Sequence, residues 1–260
     1  MEQNPTSPII ILSPSEEVDM ADAWYEYASL DHFWIQSRFD AILKVPIAKQ
    51  LFNKRLFEIG CGNGLILNQF ESYFNIAVDG CDLNPFALEQ IENARGKIYS
   101  LNIFDKPKEL VGKYDGVLLM DVIEHIDNDA LFLKTACQYL VAGGLVIINV
   151  PALNSLFSKY DVMAGHKRRY TKKMMETLFK ECGIEKVSIE YWGFSMIPIA
   201  WLRKFMLMFT PDEKVIKSGF RPPNKLMNLL LKKLMQLENV LMKSPPKGTS
   251  LVAIGKINSV

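Results

Sequence analysis

Leu56-Phe57-Glu58-Ile59-Gly60-Cys61-Gly62-Asn63-Gly64 is a short apolar run that ends in three alternate glycines. Such a run reads as a buried strand feeding a tight turn, with a helix from about Asn63 onward. Glycine lacks a Cβ, so the turn can take positive φ and let a ligand approach the backbone. The helix start would aim its free N–H groups at that ligand. The dinucleotide fingerprint Gly-x-Gly-x-x-Gly would need glycine at position 65, which is Leu65 here, while Gly64 precedes it. Glu58, just before the turn, suits a cationic ligand better than a pyrophosphate.

Outward from the turn, Ile76-Ala77-Val78-Asp79-Gly80-Cys81-Asp82 is the next apolar run. It ends on an acid about 20 residues past the glycines, where a carboxylate at a strand tip can accept both hydroxyls of a ribose. Strands are expected near residues 55–59, 76–81, 97–101, 114–120 and 144–150, with helices near 63–72, 85–94 and 127–140. Asn84 is the expected cap of the second helix, with Pro85 at its first position. Tyr114 to Met120 is almost wholly apolar, as a central parallel strand should be. Residues 151–170 read as a long loop, 171–182 as a helix closed by Gly183, and 186–192 as a strand. Residues 197–209 and 222–243 read as two helices separated by prolines, and Thr249 to Gly255 as a last strand. The polar, proline-containing residues 1–19 carry one apolar patch, Ile9 to Leu12, for which order is not expected.

The paired segments Phe57 to Gly64 and Gly80-Cys81-Asp82-Leu83-Asn84-Pro85 resemble the class I S-adenosylmethionine-dependent methyltransferases. Met120-Asp121-Val122-Ile123-Glu124-His125-Ile126 resembles the Glu-His segment of the ubiquinone-biosynthesis O-methyltransferase type. A closer likeness, over nearly the whole chain, is to a subfamily of class I methyltransferases of uncharacterised substrate. Its marks are His32-Phe33-Trp34-x-x-x-Arg38, Asn149-Val150-Pro151-Ala152, Gly165-His166-x-Arg168-Arg169-Tyr170 and Ser250-Leu251-Val252-Ala253. The resemblance implies an α/β, Rossmann-like seven-stranded sheet in the order 3-2-1-4-5-7-6 with helices on both faces. It implies S-adenosyl-L-methionine as cofactor and S-adenosyl-L-homocysteine as product. A nicotinamide-binding Rossmann turn and a non-catalytic cofactor-binding partner protein are the competing readings.

The same resemblance assigns roles. Gly60, Gly62 and Gly64 would admit the methionine part and Glu58 its ammonium. Asp82 would hold the ribose and Leu83 would pack on the adenine. Asn102 stands where the family usually has an aspartate that reads the adenine amino group. Ile103, Met120 and Asp121 complete the expected cofactor group. His166 is the leading general base, because it lies on a long loop at the ligand edge and an imidazole titrates near neutral pH. A loop-structuring pair of His166 with Asp161 is the equal alternative. His125 and Tyr25 are further catalytic candidates. His32, Trp34, Arg168, Arg169 and Tyr170 are expected to face the acceptor, with Lys167 and the two arginines suited to an anionic group. No metal is assigned. The trio Asp121, Glu124 and His125 would share one face of a helix, but helix-start acids and a backbone-bonded histidine are the favoured reading.

The 260 residues carry a formal net charge of +1, which removes the electrostatic case for nucleic acid. The four cysteines are widely spaced, without a zinc or disulfide pattern, and the chain start does not read as a basic-then-apolar leader. A cytoplasmic location follows as the expectation, with membrane-peripheral contact open. The expected organisation is an N-terminal segment and lid over residues 1–50, a methyltransferase domain over 51–196 and 247–260, and a helical insertion over 197–246. The aromatics Trp24, Tyr25, Tyr27, Phe33 and Trp34 suit such a lid. The insertion has a broad apolar face that something must cover. A small-molecule or lipid-linked acceptor, a homodimer through residues 197–243, and a membrane surface are the three partners it suits.

Overall fold

A computed structural model of the chain describes residues 8–14, 29–220 and 224–258, with the side chain of Phe220 left aside. Eight strands form one sheet: β1 (Ile9–Ile11), β2 (Leu56–Ile59), β3 (Val78–Asp82), β4 (Ile98–Ser100), β5 (Tyr114–Met120), β6 (Leu140–Pro151), β7 (Ile184–Trp192) and β8 (Ser250–Ile257). Their order is β1-β4-β3-β2-β5-β6-β8-β7. The pairings from β1 to β6 are parallel, and β8 lies antiparallel between β6 and β7. Apart from β1, this is the expected order.

The eighth strand corrects the seven-stranded expectation. Ile9, Ile10 and Ile11 pair with Ile98, Tyr99 and Ser100 on the open edge of β4. The pairing is locked by Ser13, whose backbone N–H donates to the Ser100 carbonyl at 3.0 Å and whose hydroxyl donates to Asp105 at 2.5 Å. Asp105 therefore anchors this edge. β-branched residues suit an edge strand, but three of them, largely exposed, lack the alternation that marks one in sequence.

The helices are α1 (Phe33–Leu43), α2 (Leu65–Phe74), α3 (Pro85–Leu88), α4 (Asp129–Cys137), α5 (Lys159–Met163), α6 (Lys172–Glu181), α7 (Ile197–Leu207), α8 (Asp212–Phe220) and α9 (Lys225–Leu241). Successive residues of β5 point to opposite faces of the sheet. Leu118 joins Ile42, Leu67 and Phe70 of α1 and α2 in one buried layer. Val117 and Leu119 join Leu133, Ala136, Met175 and Phe179 of α4 and α6 in the other. These apolar layers exclude water from both faces of the central strands, and so fix where the strand tips and their loops emerge.

Three local expectations change. The helix begun at Pro85, capped by the Asn84 side chain as expected, stops at Leu88 instead of running to residue 94. The chain beyond it is held by the buried carboxylate of Glu71, which accepts from the N–H groups of Val78, Arg95 and Gly96 at 2.9–3.0 Å. The expected loop over 151–170 contains α5 and a 3-10 turn, Asn154–Leu156. The expected two-helix insertion between β7 and β8 has a third member, α8, which opens with Asp212 and Glu213 in its first turn. Acids there offset the helix dipole.

Glu71→Ala leaves three N–H donors without their acceptor inside the fold. It should cost about 2–4 kcal/mol in a urea unfolding curve. Stability within about half a kcal/mol of wild type would show that water satisfies those donors instead.

Candidate active site

The glycine turn sits at the carboxyl tip of β2. Gly60, Gly62 and Gly64 have φ of 75°, 51° and 76°. A Cβ on Gly60 would come to 2.7 Å of a Val122 methyl, so the turn and the segment after β5 lie in contact. The turn is sewn to β3. Gly60 and Cys61 donate to the Cys81 carbonyl at 2.8 and 3.0 Å, and Gly62 donates to Asp82 Oδ2 at 2.8 Å. Asp82 Oδ1 accepts from the Asn84 N–H at 2.9 Å. Burial pushes the Asp82 carboxyl up, and these N–H groups pull it back toward the ionised form. Cys61 and Cys81 are buried beside the turn, and burial pushes both thiols well up. Asn102 caps the 3-10 turn Ile103–Asp105 by accepting from Phe104 N–H at 3.1 Å, next to the β4 tip. Leu83 is partly exposed on the Asp82 loop, whereas Ile103 and Met120 are buried.

Beside this turn lies a set of buried charges. Arg38 of α1 is 2% exposed and Glu58 of β2 is 1% exposed. Arg38 donates through Nη1 to Asp121, but its Nε and Nη2 have no partner, and neither has Glu58 Oε2. Burial raises the Glu58 carboxyl to about 8, against the pull of Arg38 and of a hydrogen bond from the Leu67 backbone. Asp121 has φ of 59°, a left-handed conformation uncommon outside glycine, asparagine and aspartate. It is held there by Asn149. The Asn149 side-chain amide donates to Asp121 Oδ1 at 2.6 Å, and the Asp121 N–H donates to the Asn149 carbonyl at 2.9 Å. Trp192 at the end of β7 donates to Asn149 Oδ1 at 3.0 Å. Strain concentrated at a strand tip among underpaired charges is a mark of a ligand site.

A third group follows β5. The segment Ile123–His125 is a 3-10 turn, so Asp121 does not share a helical face with Glu124 and His125 as expected. Glu124 is fully buried and both its carboxyl oxygens lack a partner. Burial, then the charge of Asp121, push it well above the usual carboxylate range. Burial and the neighbouring His166 lower His125 to about 4, so its ring is neutral near pH 7. His166 reaches this turn from the loop after α5, with its ring 4.8 Å from that of His125. His166 Nδ1 lies 2.9 Å from Asp161 Oδ1. Asp161 is lowered to about 2: the His166 hydrogen bond and the Arg169 guanidinium outweigh its burial. Glu124, His125 and His166 each bring one ligating atom to within 4.8 Å of the others. Two imidazoles and a carboxylate are a donor set that could hold a divalent cation.

The other expected residues fall in different places. His32 caps α1, its Nδ1 accepting from Trp34 N–H at 3.2 Å, and burial lowers it to about 4. Trp34 packs on Trp192 at 4.5 Å between ring centroids. Arg169 makes two bonds to Asp161, at 2.8 and 3.2 Å, and a third to the Ala152 carbonyl. Arg168 pairs with Asp129 at 2.8 Å, and Lys167 lies 3.6 Å from Asp127. These cations are spent on the protein's own acids. Tyr170 is buried, with its hydroxyl 2.7 Å from Asp129 and 3.2 Å from the Ile123 carbonyl. Tyr25, with Trp24 and Tyr27, lies outside the described residues. Arg38 and Asn149 carry more of the site than their reading as motif residues implied. A lone arginine four residues past a tryptophan, and an asparagine interrupting an apolar strand, are the signals the sequence carries.

A family model described as a methyltransferase domain matches residues 30–189. A ubiquinone biosynthesis O-methyltransferase from Caulobacter sp. (strain K31) is 32% identical over 103 residues, covering 36% of this chain and 39% of that protein. The chloroplastic tocopherol O-methyltransferase of Arabidopsis thaliana is 21% identical over 174 residues, covering 64% of this chain and 49% of that protein. The chain spans less than half the length of these curated relatives. Among solved structures, a Burkholderia thailandensis 1,6-didemethyltoxoflavin-N1-methyltransferase with bound 1,6-didemethyltoxoflavin and S-adenosylhomocysteine matches with a TM-score of 0.54. Its identity is 14%, over 92% of this chain and 82% of that one. Haemonchus contortus phosphoethanolamine N-methyltransferase 2 in complex with S-adenosyl-L-methionine matches with a TM-score of 0.52 at 19% identity, over 86% of this chain and 52% of that one. At such identities the structural likeness is one of fold. The family model, by contrast, takes in more than half of the sequence, including the glycine turn, Asp82 and the turn after β5. The chain belongs to the methyltransferase-domain family, within the class I S-adenosylmethionine-dependent methyltransferases.

Proposed function

We propose that this protein transfers a methyl group from S-adenosylmethionine to an oxygen or nitrogen of a small-molecule or lipid-linked acceptor. The observation that carries the reading is the glycine turn bonded to Asp82 beside a buried Arg38 and Glu58 whose polar atoms are not all partnered. A zwitterionic amino-acid group supplies what that pair lacks. Its carboxylate suits the free Arg38 nitrogens, and its ammonium suits Glu58. Each Asp82 oxygen keeps a lone pair for a ribose hydroxyl after accepting one N–H. Leu83 and Asn102, on the next two loops, are the residues offered to the adenine.

The acceptor's lone pair forms the new bond to the methyl carbon. The carbon–sulfur bond breaks, and its electron pair stays on the sulfur of a neutral thioether. The leaving group needs no proton, so the protein's work is alignment and removal of the acceptor's proton. His166 is the proposed base. With its Nδ1 proton donated to Asp161, its Nε2 is the nitrogen available to take the acceptor's proton. The neutral His125 ring beside it shapes the same pocket.

Asp82→Ala should weaken S-adenosylmethionine binding by about 2–3 kcal/mol in calorimetry, roughly 30- to 150-fold in Kd. An unchanged Kd would remove Asp82 from the ribose.

Glu58 gives a pH test. Free, it is protonated below about 8; an ammonium beside it favours the ionised form. Binding therefore expels a proton, and affinity should rise by up to about tenfold per unit between roughly pH 6 and 7.5. Glu58→Gln should flatten that slope. If the slope persists in the variant, another group releases the proton.

His166→Ala should lower turnover about 100-fold with cofactor affinity unchanged. The assay is a panel of phenols, quinols, amines and lipid-linked sugars with labelled cofactor. Wild-type rates in the variant would leave His166 as a partner of Asp161 alone.

A further inference from the structure

The insertion helices are mounted inside out. A helix on a globular protein ordinarily buries its apolar stripe and shows its polar one to water. α9 is mounted mostly the other way: Met235 and, in part, Leu231 reach the core, its remaining apolar side chains are exposed, and polar groups make the other contacts. Its Asn228 donates to the Asp31 carbonyl at 2.8 Å and accepts from Phe33 N–H at 2.9 Å. Its Glu238 is buried and accepts from the N–H groups of Gly193, Phe194 and Ser195 at 2.7–3.0 Å and from the Ser195 hydroxyl at 2.6 Å. The opposite stripe, Leu226, Leu230, Leu234, Leu237 and Leu241, follows helical spacing and is 40–71% exposed. α7 follows the same plan. Arg203 donates to the Gly219 carbonyl at 3.1 Å and Lys204 to the Ser155 carbonyl at 2.7 Å. Trp201, Leu202, Phe205 and Met206 remain 47–61% exposed. The Glu238 carboxylate ties α9 to the turn that starts α7, so the two helices share one mount.

We propose that α7 and α9 dock this protein on an anionic lipid surface. Charge selects that occupant. α7, α9 and the residues just past α9 carry Arg203, Lys204, Lys225, Lys232, Lys233 and Lys243 against one acid, Glu238, which is buried. Lys225, Lys233 and Lys243 are exposed, while Lys204 and Lys232 are half-buried, Lys204 on the Ser155 carbonyl and Lys232 beside Asp40. A second copy of this chain on a two-fold axis would bring lysines against lysines, whereas anionic headgroups neutralise them. The acids of the intervening α8 are Asp212, paired with Lys159 at 2.5 Å, and Glu213, which shares its helix with Lys214 and Lys217. Trp201, with Lys204 Nζ 5.1 Å from its ring centre, is the kind of residue that sits at headgroup depth. No helix among the described residues is long and apolar enough to cross a membrane. The stripe of α9, 17 residues and roughly 25 Å long, suits a helix lying in the interface.

The test is flotation of the full chain, without cofactor, on vesicles of phosphatidylcholine alone or with about one third phosphatidylglycerol. Binding to the anionic vesicles should be about tenfold tighter or more, and should fall as salt is raised. The variants Leu230→Ser/Leu234→Ser/Leu237→Ser and Phe205→Ser/Met206→Ser change water-facing side chains, so they should melt like wild type while losing binding about tenfold or more. Absence of binding to anionic vesicles overturns the proposal. So does binding that the variants keep. A concentration-dependent dimer in sedimentation that the leucine variant abolishes also overturns it, by naming a second copy as the occupant. None of these outcomes depends on the cofactor.

Discussion

A guanidinium sealed from water needs acceptors for all its donors, and Arg38 does not have them. Its pairing with Asp121 uses one nitrogen, while two more face no acceptor within the protein. Burying a charge is costly unless it is matched and fully bonded. The surrounding structure pays to keep it nonetheless: Asn149 clamps Asp121 in a left-handed conformation, Trp192 clamps Asn149, and Trp34 of the arginine's own helix packs on Trp192. This chain of contacts runs from α1 across the tips of β5, β6 and β7. The apolar layers on both faces hold those tips in place. Without a rigid frame, the unpaired groups would relax toward water or toward one another.

The charges divide into two districts. In the district of Glu58, Arg38 and Glu124, unpartnered atoms remain and burial raises both carboxyls. In the district of Asp161, bonds are complete: Arg169, His166 and the Ser158 cap leave the aspartate ionised far into acid. The second stabilises the loop that carries His166; the first keeps buried polar atoms without a partner. The proposed base therefore stands where a finished network meets an unfinished one, with its Nδ1 fixed by the former.

Much of the sheet was legible because its information is local. Val117 to Met120 and Val146 to Val150 are apolar runs that can only be buried, and three alternate glycines can only be a turn. Asp82 could be placed at the tip of the next strand because an acid ends that apolar run, and there it meets the turn through Gly62. What escaped the reading depends on tertiary partners. Ile9 to Ile11 become a strand only because β4 has an open edge. Pro85 begins a helix that stops at Leu88, and the chain farther on is pinned at Arg95 and Gly96 by Glu71. Arg169 looked like a surface cation in a basic run, yet its fork fits Asp161 eight residues earlier. For α9 the sequence showed a broad apolar face, but which side met the protein rested on Asn228 and Glu238 finding backbone partners on segments before β2 and after β7.

Cys61, within the glycine bend, and Cys81, in the strand beside it, are buried with their thiols held in the protonated state. A protonated, enclosed sulfur is a poor nucleophile. Alkylating reagents should reach it only in moments when the bend lifts from the sheet. The two thiols are thus native reporters of breathing in this corner of the molecule: their modification rate is a clock for local opening, and a ligand that pins the bend should slow it.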